Sequence, residues 1–349
     1  MSLYAEYLKY CPEIIRCLEN ARASGRMAHS FLINAADDQM RAEFAVILQQ
    51  LTGCRNPKDG RPDLNCQFCR QIESGTYSDL HRITPVGKMY QIRVGDRNNP
   101  EPNTLRYMLD HLSYTAGNYR KFGLIEDADR MGVEAQNALL KTLEEPPPET
   151  TIILSTANPA SLLPTTRSRC QMLSLPNFRN TIDFDGANEV KQALFELCFE
   201  AVNDLCRTEI ALQKILGTAT QLAENARSSA EAEFQDMMAS AIAADDAPRL
   251  KQLESHIADA ASGEYIRRRR RFIGFITTFC SQIFMLSRGV KREDLPCAAV
   301  FDHLPIPLNI SEERGNAILK EAEELEYTLK FNVNDELALR TFAVNLTMR

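Results

Sequence analysis

Three groups of residues in this chain have types and spacings suited to chemistry. Cys66 and Cys69 form a Cys-x-x-Cys pair, and Cys54 lies upstream in a segment rich in Pro, Gly and Asp. Thiolates at such spacing hold tetrahedral zinc, which takes four ligands. The same residues could remain free thiols; a redox pair would need a thioredoxin-like context, which the flanking sequence lacks. Glu126 and Asp127 follow the apolar run Phe122–Ile125. Carboxylates at the end of a buried strand can orient magnesium and water in phosphoryl transfer, or simply cap the next turn. Finally, Ser168-Arg169-Cys170 sets a guanidinium beyond a second apolar run, Thr151–Ser155. A guanidinium can offset charge developing on a phosphoryl group, or it can be one half of a structural ion pair. Cys170 reads as a small packed hydrophobe.

These residues need a scaffold, and the first half of the chain spells one out. His29–Asn34, Leu80–Pro85, Phe122–Ile125 and Thr151–Ser155 read as strands. Ile152, Ile153 and Leu154 are continuously apolar, as in a strand buried on both faces. Arg41–Gln50 reads as a helix, and a further helix starts near Val133 and is stopped by Pro146, Pro147 and Pro148. Strands alternating with helices predict a parallel sheet flanked by helices. After Leu175 the pattern becomes almost wholly helical, with a break at Pro296, Pro305 and Pro307. Ser311 is a good cap for the last segment. Phe272, Phe275, Ile276, Phe279, Ile283 and Phe284 recur at helical spacing and read as core. Arg267–Arg271 precedes them; five consecutive residues point all round a helix, so the run is a solvated or interface-pairing segment or, alternatively, part of a nucleic-acid groove.

The 349 residues allow two or three domains with real cores. A net charge of −7 argues against coating nucleic acid by bulk charge, while a local basic face stays possible. The start, MSLYAEYLKYCPEII, has no signal-peptide pattern, and no apolar run is long enough to span a bilayer, so the cytoplasm is the expected location and reduced thiols the expected state.

The stretch KFGLIEDADRMGVEAQNALLKTLEEPPPETTIILSTANPASLLPTTRSRC, Lys121 to Cys170, resembles the clamp-loader branch of the AAA+ ATPases, and within it bacterial DNA polymerase III subunits that have lost ATP binding. The resemblance is strong over residues 1–175 and weaker over 310–349. It implies an α/β AAA+ (RecA-like) parallel-sheet domain over residues 1–178, with a small zinc module at about 54–70, then an all-α region over 179–349 ending in a collar domain for oligomerisation. The usual three-helix lid has no counterpart beyond NFRNTIDFDG, so the lid is expected to be shortened or absent.

The family's P-loop follows a strand that begins with His, as His29 does here. A working loop, G-x-x-x-x-G-K-[ST], brings backbone N–H groups to phosphates and a hydroxyl to magnesium. Laid on this chain, the family pattern puts Ala35, Asp38 and Met40 at glycine places, Arg41 at the lysine place and Ala42 at the hydroxyl place; Asp37 and Asp38 would repel a triphosphate. No ATP is expected to bind, and Glu126 and Asp127, reversed from the family's Asp-Glu order, become vestigial, with capping the favoured role. The resemblance gives Arg169, with Ser168, the role of an arginine finger reaching the ATP of a neighbouring subunit; Arg167 could be mistaken for it. It also implies four metal ligands. Counting back from Gly75-Thr76 puts Asp63 at the place of the missing cysteine, so Cys54, Asp63, Cys66 and Cys69 form the expected zinc set, with His81 an alternative fourth ligand.

The implied function is a non-catalytic clamp-loader subunit. Its partners would be the gamma/tau ATPase subunits, the delta subunit and, through the complex, the sliding clamp and primer–template DNA, with no membrane. The alternatives are an independent ATPase with an unusual nucleotide site and a zinc-containing nucleic-acid-binding module.

Overall fold

The computed structural model describes residues 2–87, 89–96, 101–114, 119–176, 184–244, 246–305, 310–329 and 334–348. The chain divides into two compact units, Met1–Phe178 and Arg179–Arg349.

The first unit is built on five parallel strands: β1 (Ser30–Asn34), β2 (Leu80–Ile83), β3 (Lys121–Ile125), β4 (Thr150–Thr156) and β5 (Gln171–Ser174), in the spatial order β2-β3-β4-β1-β5. All seven residues of β4 are buried, as they must be for a strand with neighbours on both edges and helices on both faces. One layer of core, including Phe31, Phe44, Leu48, Phe68 and Phe122, lies under α1 (Leu3–Tyr10), α2 (Pro12–Ala23), α3 (Asp38–Gly53) and α4 (Gln67–Glu73). The other, with Met108, Leu112, Leu139 and Leu154, lies under α5 (Leu105–Ser113) and α6 (Val133–Glu144). The proline triplet ends α6 where expected, and a short α7 (Pro164–Arg167) precedes β5. From β1 the chain leaves for the far edge of the sheet, and from β4 it crosses over β1 to β5. The carboxyl ends of β1 and β4 therefore flank the point where the winding reverses, the place where open α/β sheets bind ligands.

The second unit is all helical: α8 (Ala187–Phe195), continued by a π-helical turn at Glu196–Glu200, then α9 (Leu205–Ala243), α10 (Ala247–Ser287), α11 (Glu312–Leu329) and α12 (Asp335–Thr347). The 39 and 41 residues of α9 and α10 make helices of roughly 60 Å each. A single core runs from Val190 to Leu346 and includes the expected Phe272, Phe275, Ile276, Phe279 and Ile283, while Phe284, expected with them, is half-buried. Ser311 caps α11 by accepting the Arg314 N–H at 3.2 Å. The segment expected to stand for the lid, NFRNTIDFDG, falls mostly on residues 177–183, outside the described residues. Pro307 and the first two residues of NVNDELALRTFAVNL also lie outside them.

The arginine run lies within α10 and is used inside the unit. Arg267 and Arg268 pair with Glu264 at 3.2 and 2.9 Å. Arg269 pairs with Asp335 at 2.6 Å and donates to the Leu329 carbonyl at 3.0 Å, tying α10 to the start of α12. Arg270 and Arg271 are engaged as well.

Candidate functional site

At the carboxyl end of β1 the chain enters Ala35–Asp37, a loop without glycine, and then α3. Asp37 caps α3 by accepting the Met40 N–H at 3.0 Å, so a carboxylate of the chain already uses the anion-binding end of the helix. The Ala35 N–H is spent on the Thr156 carbonyl at 3.3 Å. Arg41 then turns inward. Its Nη1 donates to the Ala35 and Ala36 carbonyls at 2.7 and 3.1 Å, and its Nη2 to Asp127 Oδ1 at 2.7 Å. The pair is sealed, with side-chain exposures of 4% and 6%. Tyr90 completes it, its hydroxyl donating to Asp127 Oδ2 at 2.5 Å. A phosphate cradle needs N–H donors facing the anion. Here two loop carbonyls face a guanidinium, and acceptors oriented that way would repel a phosphate.

This arrangement corrects the expected capping role for Asp127. Asp127 makes no cap hydrogen bond to the short helical turn it precedes. It sits instead in the left-handed region, φ 45°, with Arg41 and Tyr90 on its carboxylate. Such a conformation is unfavourable for a non-glycine residue and persists where surroundings fix it. Glu126 pairs with Arg82 at 2.6 Å. Asp38 lies in the first turn of α3, and Met40 is buried at its inner face. Ala42, which follows Arg41, is exposed. Asp129, next along, accepts from Thr156 Oγ1 at 2.6 Å and so ties the loop after β3 to the end of β4.

The Ser-Arg-Cys segment is fixed onto α6. Gln136, buried on that helix, accepts from the Leu163 N–H at 2.8 Å and from Thr166 Oγ1 at 3.4 Å. Arg169 donates from Nε to Glu144 Oε1 at 2.7 Å, from Nη2 to the same oxygen, and from Nη1 to the Thr165 carbonyl at 2.8 Å. Ser168 Oγ donates to the Thr165 carbonyl at 3.1 Å. Arg167 is exposed. Burial pushes the Cys170 thiol up to about 12, which suits packing and not nucleophilic chemistry.

One ligand atom from each of Cys54, Asp63, Cys66 and Cys69 lies within 4.8 Å of the others. Zinc–sulfur bonds of about 2.3 Å place tetrahedral ligands a little under 4 Å apart, so this cluster fits a metal with slight contraction. The Asp63 carboxylate is held ready. Its Oδ1 accepts the Asn65 and Cys66 N–H groups at 3.0 and 2.9 Å, and its own N–H points to Cys54 Sγ at 3.4 Å. Burial works against ionising Asp63, but hydrogen bonds from Cys66, Asn65 and Asn56 outweigh it and hold the carboxyl below its ordinary value. Burial pushes the Cys54 and Cys69 thiols up. His81, the alternative ligand, lies outside this cluster. It is on β2 beside His111, with ring centroids 5.2 Å apart, and burial and that neighbour lower its pKa.

The module is seated on the unit by backbone contacts. Arg22 donates to the Thr52 and Cys54 carbonyls at 2.7 and 3.0 Å, and Gln50 donates to the Cys69 carbonyl at 3.3 Å. Gly60, at φ 80°, approaches α2 so closely that a Cβ there would lie 1.9 Å from the Glu19 carbonyl oxygen. Arg61 pairs with the Glu19 carboxylate at 3.1 Å.

Sequence reasoning missed Tyr90, Gln136, Glu144 and Asp129. None lies in a recognisable pattern with its partner. Gln136 and Glu144 alone offered a signal, since they share the helix that precedes the Ser-Arg-Cys segment.

Residues 10–179 match the family described as DNA polymerase III, delta subunit. The DNA polymerase III subunit delta' of Bacillus subtilis is 31% identical over 166 residues, 46% of this chain and 46% of that protein. The Escherichia coli delta' subunit is 31% identical over 150 residues, 43% of this chain and 42% of that protein. The E. coli tau subunit is 30% identical over 163 residues, 46% of this chain and 24% of that protein. The chain thus spans less than half the length of these curated relatives. A solved gamma-subunit-related protein from Thermotoga maritima is 18% identical, with 97% of this chain and 98% of that one covered, at a TM-score of 0.37. No helix among the described residues is long and apolar enough to cross a membrane.

Proposed function

We propose, on the premise that residues 10–179 make the chain a member of the DNA polymerase III delta-subunit family of clamp-loader proteins, that it serves as a delta-prime-type subunit which binds no nucleotide itself. The observation that carries this reading is the Arg41–Asp127 pair: the chain's own cation and two loop carbonyls fill the ground on which a triphosphate would rest. The sheet, the strand-end loops and α3 are kept, while the capacity to hold phosphate is lost.

Arg169 is then the residue that acts, and it acts in trans. Just before the edge strand β5 and partly exposed, it would present its guanidinium, with Ser168 beside it, to the γ-phosphate of an ATP held by a gamma or tau neighbour, stabilising the charge that develops there. The helical unit 179–349 would supply the collar contacts that hold the ring, with delta as a further partner and the sliding clamp and primer–template DNA met through the assembly. Cys54, Asp63, Cys66 and Cys69 would hold a structural zinc ion, which supplies a fixed cross-link between the Cys54–Asp63 loop and α4.

Calorimetric titration of the full chain with Mg-ATP tests the nucleotide half of this proposal. No binding is expected up to millimolar ATP. Micromolar affinity, lost in Arg41→Ala, would instead support an independent ATPase.

A further inference from the structure

We infer that Glu144 is a positioning residue for Arg169: it holds the guanidinium by its side edge and leaves donors on the fork to receive a phosphate-class anion. This deepens the reading of Arg169 as a trans-acting finger and rests on it. A guanidinium carries five N–H donors in a rigid planar fork. In this chain three are committed: Nε–H and one N–H of Nη2 to Glu144 Oε1, and one N–H of Nη1 to the Thr165 carbonyl. Each Nη keeps one further N–H. Those two are the donors left to meet the oxygens of a phosphate.

The mount is rigid on the protein side. Glu144 is the last residue of α6, set just before the proline triplet that fixes where the helix stops. Thr165 lies in α7, which Gln136 fastens to α6 two turns earlier. Both contacts to Arg169 therefore come from one braced corner of the first unit. The pair is half in solvent, with side-chain exposures of 32% for Arg169 and 50% for Glu144, so it adds little to fold stability. What it restricts is orientation. An unrestrained arginine would have to give up its rotamer freedom each time it met a phosphate. Arg167, two residues earlier, is exposed.

A single oxygen, Oε1, accepts both bonds, which sets the test. An amide oxygen can do the same, so Glu144→Gln should keep the mount and Glu144→Ala should lose it. The experiment is ATP turnover by the full chain assembled with its gamma or tau and delta partners, in five versions: unchanged, Glu144→Gln, Glu144→Ala, Arg169→Ala, and Glu144→Ala with Arg169→Ala. Glu144→Ala is expected to lower kcat at the dependent site roughly three- to tenfold, with KM for ATP little changed. Glu144→Gln should stay within about twofold of the unchanged complex, and the double variant should be no slower than Arg169→Ala. Thermal melting of the Glu144→Ala chain should match the unchanged chain, which separates positioning from folding. If Arg169→Ala slows turnover but Glu144→Ala does not, or speeds it, the positioning role is wrong and the finger stands. If Arg169→Ala has no effect, the finger reading fails and this inference falls with it.

Discussion

Replacing Arg41 with alanine is expected to cost about 3–5 kcal/mol of folding stability, the loss typical when one partner is removed from a buried ion pair. The size follows from what is left behind. Asp127 would keep a carboxylate at 6% side-chain exposure without its guanidinium partner, and the Ala35 and Ala36 carbonyls would lose their donor. Each is a polar group stranded away from water. Asp127→Asn should cost less, since an amide oxygen still accepts and no unpaired anion remains on that side. Combining Arg41→Met with Asp127→Asn should recover part of the loss, because removing both charges also removes the need to pair them. Denaturant unfolding of the four proteins measures this. A change below about 1 kcal/mol for Arg41→Ala would mean that the pair does not hold the strand ends together. Arg41→Ala should not create an ATP site either, since the loop still lacks glycine and the Ala35 N–H is still spent on Thr156.

The second large effect concerns the metal cluster. Protein made without chelators is expected to carry about one zinc ion per chain, by the ligand count of a tetrahedral site. Cys69→Ser should bring this close to zero, because Cys69 is fully buried and no other thiol lies in the cluster to replace it. Asp63→Ala should weaken binding by about 10- to 100-fold without abolishing it, and Asp63→Cys should strengthen it by giving a fourth thiolate. Stripping the metal should raise amide exchange over the loop 55–66 while the sheet stays protected, since Phe68 and Cys69 are packed in the core and Arg22 holds the loop at its Cys54 end. Metal analysis well below one, unchanged by added zinc, would show the cluster to be a set of free thiols. Zinc retained at full affinity in Asp63→Ala would give the fourth place to another ligand.

The scaffold was legible because it depends on local patterning. The apolar run Thr151–Ser155 could only be a doubly buried strand, and three prolines could only end α6. Cys54 and the Cys66–Cys69 pair stood out by residue type and spacing, whereas Asp63 entered the set only through the family resemblance. The strand-end site was not readable in the same way. Arg41 and Asp127 are 86 positions apart, and nothing in either neighbourhood says that one turns inward to meet the other. The sequence placed Arg41 at a lysine position and Asp127 at a metal-binding position. They meet because two opposite charges buried at the carboxyl end of the sheet gain most from pairing there. Tyr90 was missed for the same reason: its hydroxyl reaches Asp127 from a loop with no strand or helix pattern. The arginine run reads in the sequence as a solvated or interface-pairing segment, with a nucleic-acid groove as the alternative, and Arg269 fastens α10 to Asp335 at the start of α12.

The central claim is that a chain unable to use ATP helps a neighbour to use it through Arg169. The most direct measurement is ATP hydrolysis and clamp loading by the assembled complex when this chain carries Arg169→Ala, with Arg167→Ala as control. An intact complex is expected, with a partial fall in total hydrolysis because the other sites keep their own fingers, a larger fall in clamp loading, and a smaller effect of Arg167→Ala. Hydrolysis and loading at the unmutated rate with Arg169→Ala would contradict that claim and leave the chain a passive scaffold.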